Sequence, residues 1–308
     1  MFIKKRLIGI MFLCFCIFFS GCEFNSSTQT VNILNPFMES SESLMSEYGH
    51  SLFSFPDDDT FYYQGGLLEV PYIFYGGRVD SEVGLLVFID GIVQPYFINN
   101  TTSESEFKYM YINNIAANSE QVVTLSILPT VGKMGDELQL NFVCIDFPSL
   151  TDKSMLNLQS MSTTFSWKLS FLSDISTDPV SLPEIGIRIL ETSDTIDIDF
   201  EVYGNFYLET DNESKVARLF ASEEENEGIH RITMFINNNP AIIDGYRNYF
   251  DIDKSDVDKK IYKFQVEEDN LSDLGILYAI GVSLNDYVRD NQIDVVKTNS
   301  QALEIKVR

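Results

Sequence analysis

Four aspartates lie within eight residues, at Asp251, Asp253, Asp256 and Asp258. Calcium prefers several oxygen ligands supplied by one flexible loop, and these carboxylates follow a segment that ends in apolar, strand-forming residues. The spacing differs from that of an EF-hand, because no glycine occupies the sharp turn and Tyr262 stands where a bidentate glutamate is needed. The cluster therefore predicts either a Ca²⁺ loop or an acidic turn exposed to solvent, and Ca²⁺ is the one cofactor that the sequence suggests.

Motifs for other chemistries are missing. The chain has no HExxH, GxSxG or CxxC motif and no phosphate-binding glycine loop, and its two histidines are His50 and His230. Cys144 lies in an apolar, strand-like run, so we expect a buried and unreactive thiol. We therefore predict no catalytic residue and a protein that is not an enzyme. A pair of carboxylates would need neither histidine nor cysteine, so a carboxylate-dependent hydrolase of envelope glycan or peptide is the alternative.

Aromatic residues are the second group that could bind a ligand. The run Phe61-Tyr62-Tyr63 is followed by Tyr72-Ile73-Phe74-Tyr75. Exposed tyrosines stack on sugar rings and anchor protein partners, which makes Tyr62, Tyr63 and Tyr75 candidate ligand-binding residues. In a strand, however, alternate members of such a run face the core. The single tryptophan, Trp167, is expected in the core.

The N-terminus has the parts of an export signal. Lys4, Lys5 and Arg6 precede an almost wholly apolar run from Leu7 to Phe19. A membrane-spanning helix needs about 20 apolar residues, so this run is too short to cross comfortably. A removable signal peptide over residues 1–21 is the better interpretation.

The end of this segment, Phe19-Ser20-Gly21-Cys22, resembles the lipobox of bacterial lipoproteins, although Phe19 replaces the usual leucine. The resemblance implies that Cys22 is lipidated, with palmitate or a related acyl chain, and becomes the new N-terminus. Several acyl chains suffice for stable membrane attachment. We expect a protein anchored to lipid at the extracytoplasmic face of the bacterial plasma membrane, with the outer membrane left open. An ordinary signal peptide with an incidental cysteine is the alternative.

The charge balance restricts the partners. The net charge is −25, and removing the signal peptide takes away three basic residues and no acidic ones. Such a chain repels phosphate backbones, so nucleic-acid binding is not expected. Solubility outside the cell is a sufficient reason for the charge.

Short apolar, β-branched and aromatic runs bounded by Gly, Pro, Asn, Asp and Ser predict antiparallel β-structure from residue 60 onward. Stretches with helical period are absent. The predicted strands are Leu67 to Tyr75, Val83 to Ile89, Phe107 to Ile112, Gln121 to Leu128, Glu137 to Ile145, Thr164 to Phe171, Ile185 to Leu190, Thr195 to Val202, His230 to Ile236, Lys260 to Val266, Leu274 to Leu284 and Ala302 to Val307.

The strands form two similar sets, which indicates a tandem repeat. Leu86 to Pro95 resembles Thr233 to Pro240, each being a strand, a polar turn and a proline. Three further segments of the first set match three of the second: Phe107 to Tyr111 with Ile261 to Val266, Leu138 to Ile145 with Leu277 to Leu284, and Ser166 to Phe171 with Ala302 to Val307.

Each set is similar in size and strand number to an immunoglobulin-like sandwich, although the Cys-Trp-Cys pattern is missing. We therefore predict an all-β chain of two tandem immunoglobulin-like antiparallel β-sandwich domains. They follow the signal peptide and a flexible, polar tether that carries the lipid. The boundaries are 1–21 for the signal peptide, 22–50 for the lipidated N-terminus and tether, and 51–174 and 184–308 for the two sandwiches.

These features favour a non-enzymatic lipoprotein that acts as a spacer or binding module for an unknown protein or glycan of the cell envelope. A solute-binding lipoprotein would fit the anchor, but those proteins are two-lobed α/β structures, and alternating helices are not predicted here.

Overall fold

The computed structural model of the chain describes residues 48–99, 106–150, 156, 159, 161–163, 166–176, 185–194, 206–211, 216–222, 228–245, 247–253, 259–266, 274–284, 295–298 and 301–304. All of them belong to one compact unit, Phe37–Arg308. They form β-strands, turns and one 3-10 turn at Asp57–Asp59, without an α-helix, which confirms the all-β prediction. None of these residues belongs to a helix long and apolar enough for a membrane crossing.

The N-terminal half contributes eleven strands arranged in two sheets. Sheet 1 has the order β1-β3-β8-β6, and sheet 2 has the order β2-β11-β9-β4-β5, with β7 on β4 and β10 on β9. The pairings are antiparallel except for β2 with β11. The strands are β1 (Tyr48–Leu52), β2 (Thr60–Tyr63), β3 (Leu68–Gly76), β4 (Ser81–Ile89), β5 (Ile92–Val93), β6 (Tyr96–Ile98), β7 (Tyr111–Ile115), β8 (Glu120–Ile127), β9 (Glu137–Asp146), β10 (Met161–Thr163) and β11 (Trp167–Phe171).

Sheets 1 and 2 face each other across one hydrophobic core. In β11, alternate residues Trp167, Leu169 and Phe171 are buried, whereas Lys168 and Ser170 between them are partly exposed, as the period of two of a strand requires. The core also contains alternate residues of β3, β4 and β9, namely Val70, Tyr72, Phe74, Val83, Leu85, Val87, Leu140, Phe142 and Cys144.

The C-terminal half forms one ten-stranded sheet, sheet 3, with the order β13-β14-β18-β12-β16-β15-β19-β20, β17 on β15 and β21 on β19. Its strands are β12 (Ile185–Asp194), β13 (Phe206–Asp211), β14 (Val216–Ser222), β15 (Ile229–Ile236), β16 (Asn239–Ile243), β17 (Phe250–Asp253), β18 (Lys259–Val266), β19 (Leu274–Ser283), β20 (Val295–Lys297) and β21 (Gln301–Glu304).

Sheet 3 encloses its own core because β16 connects its two parts. The strand pairs in parallel with β12 through Ala241 and in antiparallel fashion with β15 through Pro240. Apolar side chains from both parts then meet in one cluster, which includes Leu208, Leu219, Phe264, Ile232, Met234 and Leu277.

A third hydrophobic cluster joins the two halves. It contains apolar residues of β4 and β9 that point away from the first core, together with Phe235 of β15 and alternate residues of β19. Its members include Leu86, Phe88, Val143, Ile145, Phe235, Tyr278, Ile280 and Val282. Strands β4 and β9 are therefore covered on both faces, and nearly every position of the two strands is buried.

Candidate functional site

Asp251 and Asp253 of the predicted calcium loop lie in strand β17 and not in a loop. Asp251 is opposite Arg231 of β15. Both of its carboxylate oxygens accept hydrogen bonds from this guanidinium, Oδ1 from Nε at 2.9 Å and Oδ2 from Nη2 at 3.1 Å. Asp256 and Asp258 lie outside the described residues.

Arg231 also reaches the N-terminal half. Its Nη1 donates to the backbone oxygen of Asp90 at 2.8 Å and to the carboxylate Oδ2 of the same residue at 2.9 Å. The guanidinium lies 4.6 Å from the ring centre of Tyr249. Desolvation lowers the pKa of Arg231, but the hydrogen bond and charge of Asp251 outweigh it, so the pKa is raised. Arg231 is a charged connection between the halves, with its side chain 13% exposed.

This arrangement is unfavourable for a calcium ion at Asp251, because the carboxylate already neutralises a fixed cation and an extended strand cannot wrap around an ion. In the part of the chain that the structure describes, no group of three or more His, Cys, Asp or Glu side chains is placed to hold a metal. The calcium site at Asp251, Asp253, Asp256 and Asp258 therefore stays a prediction.

The three candidate tyrosines have different environments. Tyr63 is buried in the first core, where its hydroxyl donates to Gly66 O at 3.1 Å and its ring contacts Phe171. Tyr75 is partly buried in β3, between β1 and β8. Tyr62 points the other way from Tyr63 and is 51% exposed. Of the three, Tyr62 is the most accessible to a ligand.

Two further exposed aromatic residues were not predicted from the sequence. Phe53 and Phe55, in the segment that connects the edge strands β1 and β2, are 57% and 64% exposed. Together with Tyr62 they are three exposed aromatic residues within ten residues of the chain, and we call this set the aromatic strip (Phe53, Phe55 and Tyr62). The sequence signal was the alternation of phenylalanine with Ser54 and Pro56, which is compatible with a surface segment.

Trp167 lies beneath Phe55, one residue of the aromatic strip. The ring of Phe55 lies 5.5 Å from that of Trp167, and Phe61 meets the same indole edge-on at 6.1 Å. The expectation that Trp167 belongs to the core is confirmed. Its Nε1 is buried without a hydrogen-bond partner among the described residues. The exposed Phe55 ring, supported from below by this indole, is a surface on which a flat apolar group can stack.

Cys144 is free and fully buried, as predicted. The structure brings it close to Tyr72, whose hydroxyl oxygen lies 2.6 Å from Nδ1 of His50. The His50 ring stacks between Tyr48 and Tyr72 at about 6 Å. Sequence analysis had no means to find this connection, because the three residues that make it lie on three different strands.

Burial keeps this Cys144–Tyr72–His50 chain uncharged. Desolvation raises the pKa of Cys144 well above its usual value and lowers the pKa of His50 to about 4. The Tyr72 hydroxyl contacts both the thiol and the imidazole, so the polar groups are partnered with one another while all three stay uncharged. A nucleophilic cysteine needs the thiolate, which this environment disfavours. The chain of contacts is therefore suited to holding β1 on sheet 1 and not to catalysis.

Cys22 and the whole of the predicted signal peptide lie outside the described residues, so the lipobox and the lipid anchor stay predictions.

Comparison with known proteins does not assign a family. No family model matches the chain, and no curated protein matches it. Among solved structures, the chain is similar to the YadV chaperone, with 10% identity, a TM-score of 0.23, and coverage of 81% of this chain and 98% of that one. It is also similar to the CsuC-CsuE chaperone-tip adhesion subunit complex of Acinetobacter baumannii, with 8% identity, a TM-score of 0.21, and coverage of 78% and 94%.

A third similar structure is red sea bream transglutaminase, with 10% identity and a TM-score of 0.21. The match includes 87% of this chain but only 32% of the transglutaminase chain. These TM-scores are too low to carry an argument about activity or partners.

Proposed function

We propose that this protein is a non-enzymatic binding module and spacer of the bacterial cell envelope, anchored at its extracytoplasmic face by lipid on Cys22. The observation that carries the proposal is the aromatic strip. Three large aromatic side chains are exposed within ten residues, beside a buried tryptophan. Exposed aromatic side chains are more characteristic of contact surfaces than of the ordinary protein surface.

The rest of the described structure supports a binding role more than a catalytic one. The buried Cys144 and the partly buried His50 are held in their neutral forms, and Arg231 is used in ion pairs with Asp90 and Asp251. Within the described residues these groups stabilise the fold and are not directed toward a substrate.

The arrangement of the domains belongs to the same proposal. Sheets 1 and 2 and the folded sheet 3 correspond to two immunoglobulin-like sandwich domains, with the predicted boundaries 51–174 and 184–308. In such an arrangement the tether, residues 22–50, would set the distance of the aromatic strip from the membrane. The strip lies close to the N-terminal end of the first sandwich, so its partner would be a protein or glycan near the membrane surface.

The test is capture of envelope components by the full chain and two variants. Phe55→Ala removes the most exposed ring of the aromatic strip, and Val122→Ala removes an exposed apolar side chain of β8 outside the strip. Loss of an aromatic anchor costs about 2 kcal/mol, or roughly thirty-fold in affinity. We expect Phe55→Ala to lose the captured protein or glycan and Val122→Ala to retain it, with thermal unfolding unchanged in both.

Equal capture of the protein or glycan by the two variants would show that the aromatic strip is not its binding surface. Release of glycan or peptide fragments by the wild-type chain would instead support the carboxylate-dependent hydrolase.

A further inference from the structure

The strands around β4 recur around β15 with the same neighbours. β4 pairs with β9, β7 and β5, and β15 pairs with β19, β17 and β16. β9 in turn carries β10 and β11, and β19 carries β20 and β21. This places β7 in correspondence with β17, whereas the sequence comparison had matched the segment before β7 with the region of β18.

At the hairpin turns, individual residues of the two halves can be matched with each other. Asp90 and Asn237 each begin a turn with positive φ, and both are followed by a second residue with positive φ. Asp90 N donates to Gln139 O, and Asn237 N donates to Ile276 O, both at 2.9 Å. The two bonds join the same positions of the two strand pairs.

The opposite ends of the same strands agree as well. Phe147 N donates to Glu82 O at 3.0 Å in the N-terminal half, and Leu284 N donates to Ile229 O at 2.9 Å in the C-terminal half. Both pairs of bonds give the same difference in residue number between β4 and β15. They also agree on the difference in residue number between β9 and β19. Equivalent positions can therefore be assigned across both strands.

Equivalent residues meet at the centre of the contact between the halves. Phe88 and Phe235 occupy the same position in β4 and β15, and their rings contact each other edge-to-face with centres 6.4 Å apart. In a contact between two copies, a residue meets its own counterpart only on a twofold axis. β10 also lies against its counterpart β20.

The turns of the two halves make reciprocal contacts on either side of this axis. The β4–β5 turn lies on β15, since a Cβ on Gly91 would be 3.0 Å from Cβ of Arg231. The β15–β16 turn reaches the other half, where Asn238 Nδ2 donates to Pro148 O at 2.9 Å. Pro148 lies beside Gly84, which is the counterpart of Arg231, since a Cβ on Gly84 would be 3.1 Å from it.

We infer that the two halves are structural repeats packed about a pseudo-twofold axis through Phe88 and Phe235, so that the chain is a symmetric dimer within one polypeptide. The apolar outer faces of β4–β9 and β15–β19 are then partners of each other and not docking sites for another molecule. This inference goes beyond the proposed binding function and does not depend on it.

The test measures whether the halves unfold and move together in the full chain. Phe88→Asp places a charge on the axis, and Val122→Asp places the same charge on the exposed face of β8. In wild type we expect one calorimetric transition and a compact radius of gyration by small-angle scattering. Phe88→Asp is expected to split the transition in two and to increase the radius of gyration, whereas Val122→Asp should resemble wild type.

A second variant covers the case in which Phe88→Asp prevents folding. Asp90→Lys reverses the charge beside Arg231 at the rim of the contact, outside both cores, and Glu120→Lys is the charge-matched control on β8. We expect Asp90→Lys to lower the unfolding midpoint and to broaden or divide the transition, with Glu120→Lys close to wild type. A single, unshifted transition for Asp90→Lys would overturn the inference.

Discussion

His50 is held as a neutral imidazole by its position between two tyrosine rings and its contact with the hydroxyl of Tyr72. Desolvation lowers its pKa to about 4, compared with 6.5 for a free histidine. Between these values the unfolded chain binds a proton that the folded chain does not bind. The contribution of His50 to stability is therefore complete above pH 6.5 and is lost as the pH falls toward 4.

This difference predicts a measurable dependence of stability on pH. We expect the free energy of unfolding of the wild-type chain to fall by about 1–2 kcal/mol between pH 7 and pH 5 from His50 alone. The measurement is urea unfolding at the two pH values for wild type and His50→Gln, since the difference between them isolates this residue. The same pH dependence in both proteins would show that His50 is not the cause.

Single residues also show what sequence reasoning could not provide. The ligand-like appearance of Asp251 comes from its acidic neighbours, but its partner is Arg231, twenty residues away, and the same guanidinium binds Asp90 at a separation of 141 residues. No local pattern reveals such a pairing. By contrast, Tyr62 and Tyr63 could have been separated from the sequence, because adjacent residues of a strand point to opposite faces.

Among the elements, the β4–β5 turn combines a backbone requirement with a close contact. Gly91 has a φ of +72°, and a Cβ there would lie 3.0 Å from Arg231. Gly66 has nearly the same φ, +73°, but nothing lies within 4 Å of its Cβ position. The pair therefore separates the cost of the left-handed conformation from that of the contact between the halves.

We expect Gly66→Ala to destabilise the chain by about 1 kcal/mol, which is the cost of a left-handed residue with a side chain. Gly91→Ala should cost about 2 kcal/mol or more, because Arg231 must also move away from Asp90. Urea unfolding of the two variants provides the comparison. Equal losses of unfolding free energy in the two variants would show that a side chain at position 91 does not displace Arg231.

The elements that the sequence predicted correctly are those with long apolar runs. Strands β3, β4, β8, β9, β15 and β19 lie where predicted, because each contains at least four successive apolar, aromatic or β-branched residues, which favour a strand. The missed strands include the short β5 and β6, and β17, whose alternating Asp251 and Asp253 resemble a loop. Burial on both faces is present in the sequence as lost alternation in β4, from Leu85 to Ile89, and in the second half of β9, from Phe142 to Ile145.

For the molecule as a whole, the proposed lipid anchor on Cys22 would determine where the aromatic strip can act. Residues 22–47, which precede β1, number 26. A flexible polar tether of that length would have a root-mean-square end-to-end distance of about 25–30 Å. The net charge of −25 opposes close approach to anionic lipid headgroups. The folded part should therefore stand away from the membrane that holds it.

Replacement of Cys22 tests the anchor directly. In the bacterial host, Cys22→Ala is expected to abolish labelling with a radioactive or alkyne fatty acid and to release the protein from the membrane fraction. Lipidation supplies the whole of the membrane affinity in this proposal, since a single attached chain binds only weakly and several bind stably. Membrane retention of Cys22→Ala without label would show that another segment anchors the chain.

The contact between the halves has a consequence for a protein present in few copies. Two separate subunits associate to an extent set by their abundance, whereas two linked halves experience an effective concentration near the millimolar range. Phe88 and Phe235 therefore remain in contact however dilute the molecule is. A chain that carries both partners needs no threshold of expression to complete its fold, and its assembly cannot be reversed by dilution.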